Sequence, residues 1–246
     1  MAPNLQERLR TVAVMQPYIF PYLGYFQLIA KSDVFVFYDD VSFIKGGWIH
    51  SNRILAPNNG VQRFSVSLEG GQSSSRSIVD TPLSPKRDWQ RKFTRTLRET
   101  YARAPHVERI CGLVDGVLAH SSDSIADLAC LSVRMVCEYI GLNPRFERSS
   151  NFAPETSSLD RTNRLITLTH ELQGECYINL EGGRTLYKSH PFNMASLELR
   201  FLSPQLPPYS QGIKKDFTPS LSVIDALMWN QPETVREMAL QGKVTT

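Results

Sequence analysis

Two short apolar runs, Thr11 to Met15 (TVAVM) and Asp33 to Asp40 (DVFVFYDD), flank a segment that holds Pro17, Pro21 and the apolar residues Phe26, Leu28, Ile29 and Ala30. No other feature of the chain constrains its fold so much. Proline cannot donate to a ladder, so the first run must end as a strand before Pro17. From Gly24 the apolar positions suit a short helix, and the second run is too apolar to have a wet face, so it reads as a strand buried on both sides. The result is a β-turn-α-β unit with parallel strands. Such a unit opens the carboxyl end of the strand and the amino end of the helix on one crevice. Gln16, Tyr18, Tyr22, Gly24 and Tyr25 are expected there, together with Asp39 and Asp40 at the end of the second strand.

The segment Ile49 to Leu55, the turn Asn58-Asn59-Gly60 and the alternating VQRFSVSL predict an antiparallel hairpin over 49–68. Glu69 to Ser77, with two glycines and four serines, has the composition of a loop. Ser84-Pro85 then predicts a helix start, with Trp89, Phe93, Leu97 and Tyr101 at four-residue steps. A second helix is expected from near Pro105 to about Ala119, and a third from Ser124 to Ile140, ended by Gly141. These three form an insertion, 84–141, expected against one side of the sheet. Strands at 145–148, 175–179 and 197–202 and a helix at 159–172 resume the α/β pattern. Asp160 and Arg164 stand one helical turn apart and read as a local ion pair. Ser220 is the expected cap of a helix carrying Val223, Ile224, Leu227 and Met228, and Pro232 starts the last helix. Asp225, beside that apolar face, needs a partner. The chain is therefore expected to be a single α/β domain over residues 1–246: a Rossmann-like, mostly parallel sheet with an antiparallel hairpin and a three-helix insertion.

A net charge of +3 without a long basic block gives no charge-based reason to expect nucleic acid. The basic residues of the first inserted helix, Lys86, Arg87, Arg91, Lys92, Arg95 and Arg98, read as a solvated face that is also able to receive an acidic partner. No apolar run approaches the roughly 20 residues of a membrane span, and the first ten residues have no signal-peptide core, so a cytoplasmic location is expected. Cys111, Cys130, Cys137 and Cys176 lack CxxC spacing and read as buried thiols, not as disulfides or a zinc site, and no metal is expected. Neither a Gly-x-Ser-x-Gly elbow nor a GxxxxGK[ST] loop occurs, which disfavours a serine acyl-enzyme and P-loop binding of ATP.

The candidate chemistry sits in and around the crevice. Asp40, His50 and Asp39 are the candidate acid-base groups. Lys45, Trp48, Asn52 and Arg53 are candidate substrate contacts beside them. After the strand CYIN, the loop with Asn179, Gly182, Gly183, Arg184 and Tyr187 offers backbone N–H groups and a guanidinium to an anion. Both loops follow parallel strands, so Asp40, Lys45, His50 and Arg184 are expected in one cavity, with Tyr209 and Gln211 on its rim.

The stretches MQPYIFPYLGYFQLI, DVFVFYDDVSFIKGGWIHSNRIL, YINLEGGRTLY and FTPSLSVIDALMWN resemble the WbqC-like family, and the resemblance covers nearly the whole chain. Its members are encoded largely among bacterial O-antigen and other surface-glycan genes and have been suggested to act as glycine or aminoacyl transferases on amino sugars. At position 50 asparagine is common in the family, so its WIN is WIH here. The resemblance implies an N-acyltransferase that modifies an amino sugar or nucleotide sugar by direct transfer from an activated acyl donor. A carrier-protein thioester, an aminoacyl-tRNA or an adenylate would serve, with an acyl carrier protein or tRNA as partner. More distantly, Tyr22-Leu23-Gly24-Tyr25 resembles the His-x-Gly-His signature of nucleotidylyltransferases, with both histidines replaced by tyrosine. Nucleotidyl transfer and a non-catalytic nucleotide-sugar or glycan-binding role are thus the alternatives.

Overall fold

The computed structural model describes residues 9–57, 60–85, 88–212 and 216–246; Asn58 and Asn59 of the expected hairpin turn, and Lys86 and Arg87, lie outside them. In chain order the elements begin with β1 (Thr11–Met15), α1 (Leu23–Ala30), β2 (Val34–Phe37), β3 (Ser51–Leu55) and β4 (Val61–Ser65). The inserted helices are α2 (Asp88–Thr100), α3 (Val107–Ala119) and α4 (Ile125–Ile140). There follow β5 (Arg145–Arg148), α5 (Ser149–Phe152), a 3-10 turn (Pro154–Ser158), α6 (Arg161–Glu171) and β6 (Cys176–Leu180). A second 3-10 turn (Glu181–Leu186), α7 (Ser189–Met194), β7 (Glu198–Ser203), α8 (Val223–Trp229), α9 (Pro232–Leu240) and β8 (Lys243–Thr245) complete the chain.

Six strands form one sheet in the order β5-β2-β1-β6-β7-β8, parallel throughout except for β8, which runs antiparallel to β7. The chain moves outward from β1 through β2 to β5, then returns to the other side of β1 with β6 and β7. This is the Rossmann order, and its topological switch point lies between β1 and β6. The antiparallel pair β3–β4 stands apart as a hairpin.

Strand alternation divides the core in two. Ala13, Phe35, Phe37 and Ile178 face a large apolar layer with α1, α3, α4, α8 and α9, whereas Val12, Val14, Val34, Val36 and Tyr177 face a smaller one with α6 and α7. The insertion is layered: α2 packs on α3, α3 on α4, and α4 on α9. Arg134 of α4 spreads its guanidinium over the stacked rings of Phe37 and Phe146. The expected start of α4 is a full capping box at Ser124 and Asp127, and Gly141 ends it at φ 73°, a left-handed conformation that suits glycine.

Three local readings change. The cap of α8 is Ser222, whose hydroxyl accepts from the Ile224 N–H; Ser220 is instead a left-handed residue at φ 58°. The chain does not end on α9, because β8 adds an edge strand to β7. Asp160 caps α6 through the N–H groups of Thr162 and Asn163 and does not pair with Arg164.

The turn after β1 is strained and pinned. Phe20 is buried and has φ 40°, uncommon for a residue with a side chain. Its N–H donates to Ser132 Oγ of α4 at 3.0 Å. Its carbonyl accepts from Asn52 Nδ2 of β3 at 2.8 Å and from Ser222 Oγ at 2.7 Å. The Ile19 N–H donates to the Ile49 carbonyl at 3.0 Å, so the hairpin is tied to the same turn. The Asn52→Ala variant strips a buried carbonyl of one donor and is expected to lower unfolding stability by about 2 kcal/mol, read as a lower denaturant midpoint with unchanged slope.

Candidate functional site

Polar groups at the carboxyl edge of the sheet fall into two sets. The first joins the ends of β2 and β5. Asp39 is fully buried and accepts from Arg148 Nε at 2.6 Å, from the Ser150 N–H at 3.0 Å and from Ser150 Oγ at 2.9 Å. Arg148 also donates to Asp127 Oδ1 at 2.6 Å, linking the strand end to the first turn of α4. Burial works against the charge of both Arg148 and Asp127, but their mutual bonds and those to Asp39 and Ser124 prevail. The guanidinium is held above, and the Asp127 carboxyl below, its ordinary pKa. Asp40 accepts from Ser149 Oγ at 2.6 Å and from Arg164 Nη2 at 2.5 Å, while Arg164 Nε donates to Thr156 Oγ1 and its plane lies 4.7 Å over Tyr38.

The second set lies where the hairpin meets the β1 turn. His50 is 6% exposed, packs at 5.6 Å from the Phe43 ring, and has a buried Nδ1 with no hydrogen-bond partner. Burial first, then the Arg63 guanidinium, lowers its pKa, so the imidazole is neutral at physiological pH. Trp48 is 40% exposed, with the guanidinium carbons of Arg53 and Arg63 at 5.5 and 5.0 Å from its ring centre. Lys45 is exposed beside them in sequence. A neutral, unpaired imidazole can accept a proton, and a guanidinium pair can hold an anion.

A family model described as the WbqC-like protein family matches residues 16–237, a span that includes both sets. The chain belongs to the WbqC-like protein family. It is also 25% identical over 222 residues to the uncharacterized protein Rv1507c of Mycobacterium tuberculosis strain H37Rv, covering 89% of this chain and 93% of that one. No solved structure matches it.

In this WbqC-like protein the expected site residues separate by role. The β1 turn and the 181–187 loop do open on the same sheet edge, because β1 and β6 are parallel neighbours. Around the first, Tyr18 is half-buried against Tyr25, at 5.8 Å between ring centres, and Gln16 is half-buried. Tyr25 is a brace, fully buried with its hydroxyl donating to the Gln16 carbonyl at 2.9 Å. The Tyr22 ring closes over Gly24, where a Cβ would meet it at less than 3 Å, so the Tyr-Leu-Gly-Tyr turn is filled by its own side chains. Asn52 is spent on the Phe20 and Ile19 carbonyls.

Arg184 is engaged on the β7–β8 side of the sheet, away from Asp40. It pairs with Glu181 at 2.5 Å, donates to Thr245 Oγ1 and the Thr246 carbonyl, and lies 4.2 Å over Phe201 of β7. Three strand spacings, about 14 Å, separate β7 from β2. The loop is a 3-10 turn that leads on to α7: Gly182 is open, while Gly183 closes on the amide of buried Asn179. Tyr187 packs edge-on against Tyr177 and Phe192. Tyr209 and Gln211 form no rim; they donate to the buried Asp225 at 2.7 Å each, with Tyr101 at 2.8 Å, and answer that residue's need for partners.

Arg148, Ser149 and Arg63 carry the geometry and were not singled out by sequence. Their signal was weak: RFERSS follows a strand, and Arg63 stands in an alternating run. All four cysteines are buried and unpaired; burial pushes the thiols of Cys111 and Cys176 up to about 11, leaving no reactive thiolate at neutral pH. Among the described residues no group of three or more His, Cys, Asp or Glu side chains is placed to hold a metal, and no helix is long and apolar enough to cross a membrane.

Two outcomes follow from this geometry. The Arg164→Ala variant leaves the half-buried Asp40 without its cation and should lose about 2 kcal/mol of stability in denaturant unfolding. The depressed pKa of His50 means that the unfolded chain binds the extra proton first. Its contribution to stability is therefore complete above the unfolded value near 6.5 and is lost as pH falls from there through the folded value. The His50→Asn variant should flatten the stability profile in that window, with thermal midpoints measured from about pH 7.5 to 5 as the check.

Proposed function

We propose that this protein is an N-acyltransferase of glycyl or aminoacyl type that modifies an amino sugar in bacterial glycan or natural-product biosynthesis. The observation that carries this reading is His50: a buried neutral imidazole with an unpartnered Nδ1, placed where the β1 turn and the hairpin meet at the carboxyl edge. An unpaired buried polar atom is costly, and such costs concentrate at sites of chemistry. The substrate class is the one that the resemblance to the WbqC-like family implies through its surface-glycan setting, and membership of that family supports it.

In the reaction the sugar amine attacks the activated acyl carbon, the new N–C bond forms, and the bond to the donor's leaving group breaks. The His50 imidazole takes the proton that the amine sheds. Asp40, held by Arg164 and Ser149, serves as a positioning group for the loop that leads from β2 to His50. The donor is an activated acyl group: a carrier-protein thioester, an aminoacyl-tRNA or an adenylate. Nothing favours nucleotidyl transfer, since Tyr22 and Tyr25 fill the turn that it would use.

Incubation with a panel of nucleotide-linked amino sugars and activated glycine donors, read by mass, is expected to show a gain of one acyl group for a matched pair. The His50→Asn variant, which carries the residue common in the family, should keep its fold and lose at least tenfold in kcat, about 1.4 kcal/mol. Full activity in that variant would remove His50 as the base, and no mass gain with any pair would sink the transferase reading.

A further inference from the structure

We infer that the bracket formed by Trp48, Arg53 and Arg63 is a binding site for a diphosphate group, of the kind carried by a nucleoside diphosphate. The inference deepens the transferase reading by naming the charged part of the substrate that this end of the site takes.

Arg53 and Arg63 are directly opposite each other in the β3–β4 ladder. Like charges in that position repel, and a chain that needed only a hairpin would put an acid at one of them. Here no carboxylate lies within ion-pair distance of either guanidinium among the described residues. Arg63 is oriented by the Gly46 and Gly47 carbonyls and by Ser51 Oγ, and Arg53 by the Ser220 carbonyl at 3.1 Å. These partners are neutral, so they fix direction and leave both positive charges uncompensated. The Nε of Arg53 is buried and has no partner at all. Two opposed guanidinium groups, oriented by neutral partners and without a counter-charge, have the chemistry of a phosphate receptor, because guanidinium groups match phosphate oxygens two at a time.

Three neighbours add to this. The Trp48 indole lies against both guanidinium groups and remains partly open, so it supplies a surface for a base or sugar next to the phosphates. Lys45 is exposed in the same loop. His50, whose buried Nδ1 is the second unpartnered polar atom here, lies within the electrostatic reach of Arg63, which sets the anion beside the proposed base.

Calorimetric titration of the full-length protein with inorganic pyrophosphate, UDP and uridine tests the site. Pyrophosphate and UDP are expected to bind, UDP the tighter, and uridine at least tenfold more weakly than UDP, with affinity falling as salt rises. Arg53→Gln and Arg63→Gln should each weaken UDP binding at least tenfold, whereas Arg91→Gln on α2 should not change it. Thermal midpoints report whether each variant is folded, and Arg53→Gln decides the matter should Arg63→Gln unfold. Equal binding by wild type and Arg53→Gln, equal weakening by Arg91→Gln, or no binding of pyrophosphate or UDP would overturn the inference. Because only binding is read, acyl transfer by a protein that ignores diphosphate would overturn this site and leave the transferase reading in place.

Discussion

The peptide of Phe20 is the point on which the carboxyl edge depends. A left-handed phenylalanine costs on the order of 1–3 kcal/mol, and it persists only because its neighbours over-determine it. They come from distant parts of the chain: Ser132 from the helical insertion, Asn52 from the hairpin, and Ser222 from the cap of the penultimate helix. A turn held this way puts three peripheral elements in fixed register with β1. It also ties the hairpin, which belongs to no larger sheet and carries His50, Arg53 and Arg63, to the β1 turn.

The second constraint is charge. Asp39, Asp40 and Asp127 meet Arg148 and Arg164 in a partly buried network that ties β2, β5, α4 and the amino end of α6 together. Gathering these five side chains, of which Asp39 and Arg164 are buried, is tolerable because Asp39 and Asp40 also accept from serine hydroxyls or a backbone N–H, and Asp127 from Ser124. Such a network is weak evidence for stability in itself, but it fixes where the segment after β2 leaves the sheet. That exit carries the chain to Phe43 and on to His50. Carboxylates so fully engaged are framework in this geometry, whereas the buried Nδ1 of His50 has no hydrogen-bond partner.

Much of this fold is legible in the sequence, for local reasons. Strands buried on both faces show as continuous apolar runs, Ser124 and Gly141 punctuate α4 with caps of known geometry, and the expected Arg145 to Arg148 strand has those bounds. What is not legible depends on distance or on competition between near-equal local choices. Arg164 had a nearby acid in Asp160, and only the fold shows that Asp160 is used by the helix amino end while Asp40 takes the guanidinium. Arg184 looked free, yet Glu181 three residues earlier satisfies it. Tyr209 and Gln211 looked like a rim because the need of Asp225 for buried donors cannot be seen along the chain. β8 is three residues long, too short for periodicity to register.

In the proposed reaction the substrate lies at the hairpin end of the carboxyl edge. Elsewhere, an open groove of about 490 Å³ between α2 and α3, lined by Arg91, Arg95, Arg98 and Asp115, is the rival position for a charged molecule. A crystal structure of the protein with a nucleotide-linked amino sugar separates the two most directly. The expected result is the sugar amine within hydrogen-bond reach, about 3 Å, of the His50 imidazole, with the diphosphate on Arg53 and Arg63. Density for the ligand in the α2–α3 groove, with the edge around His50 empty, would contradict it.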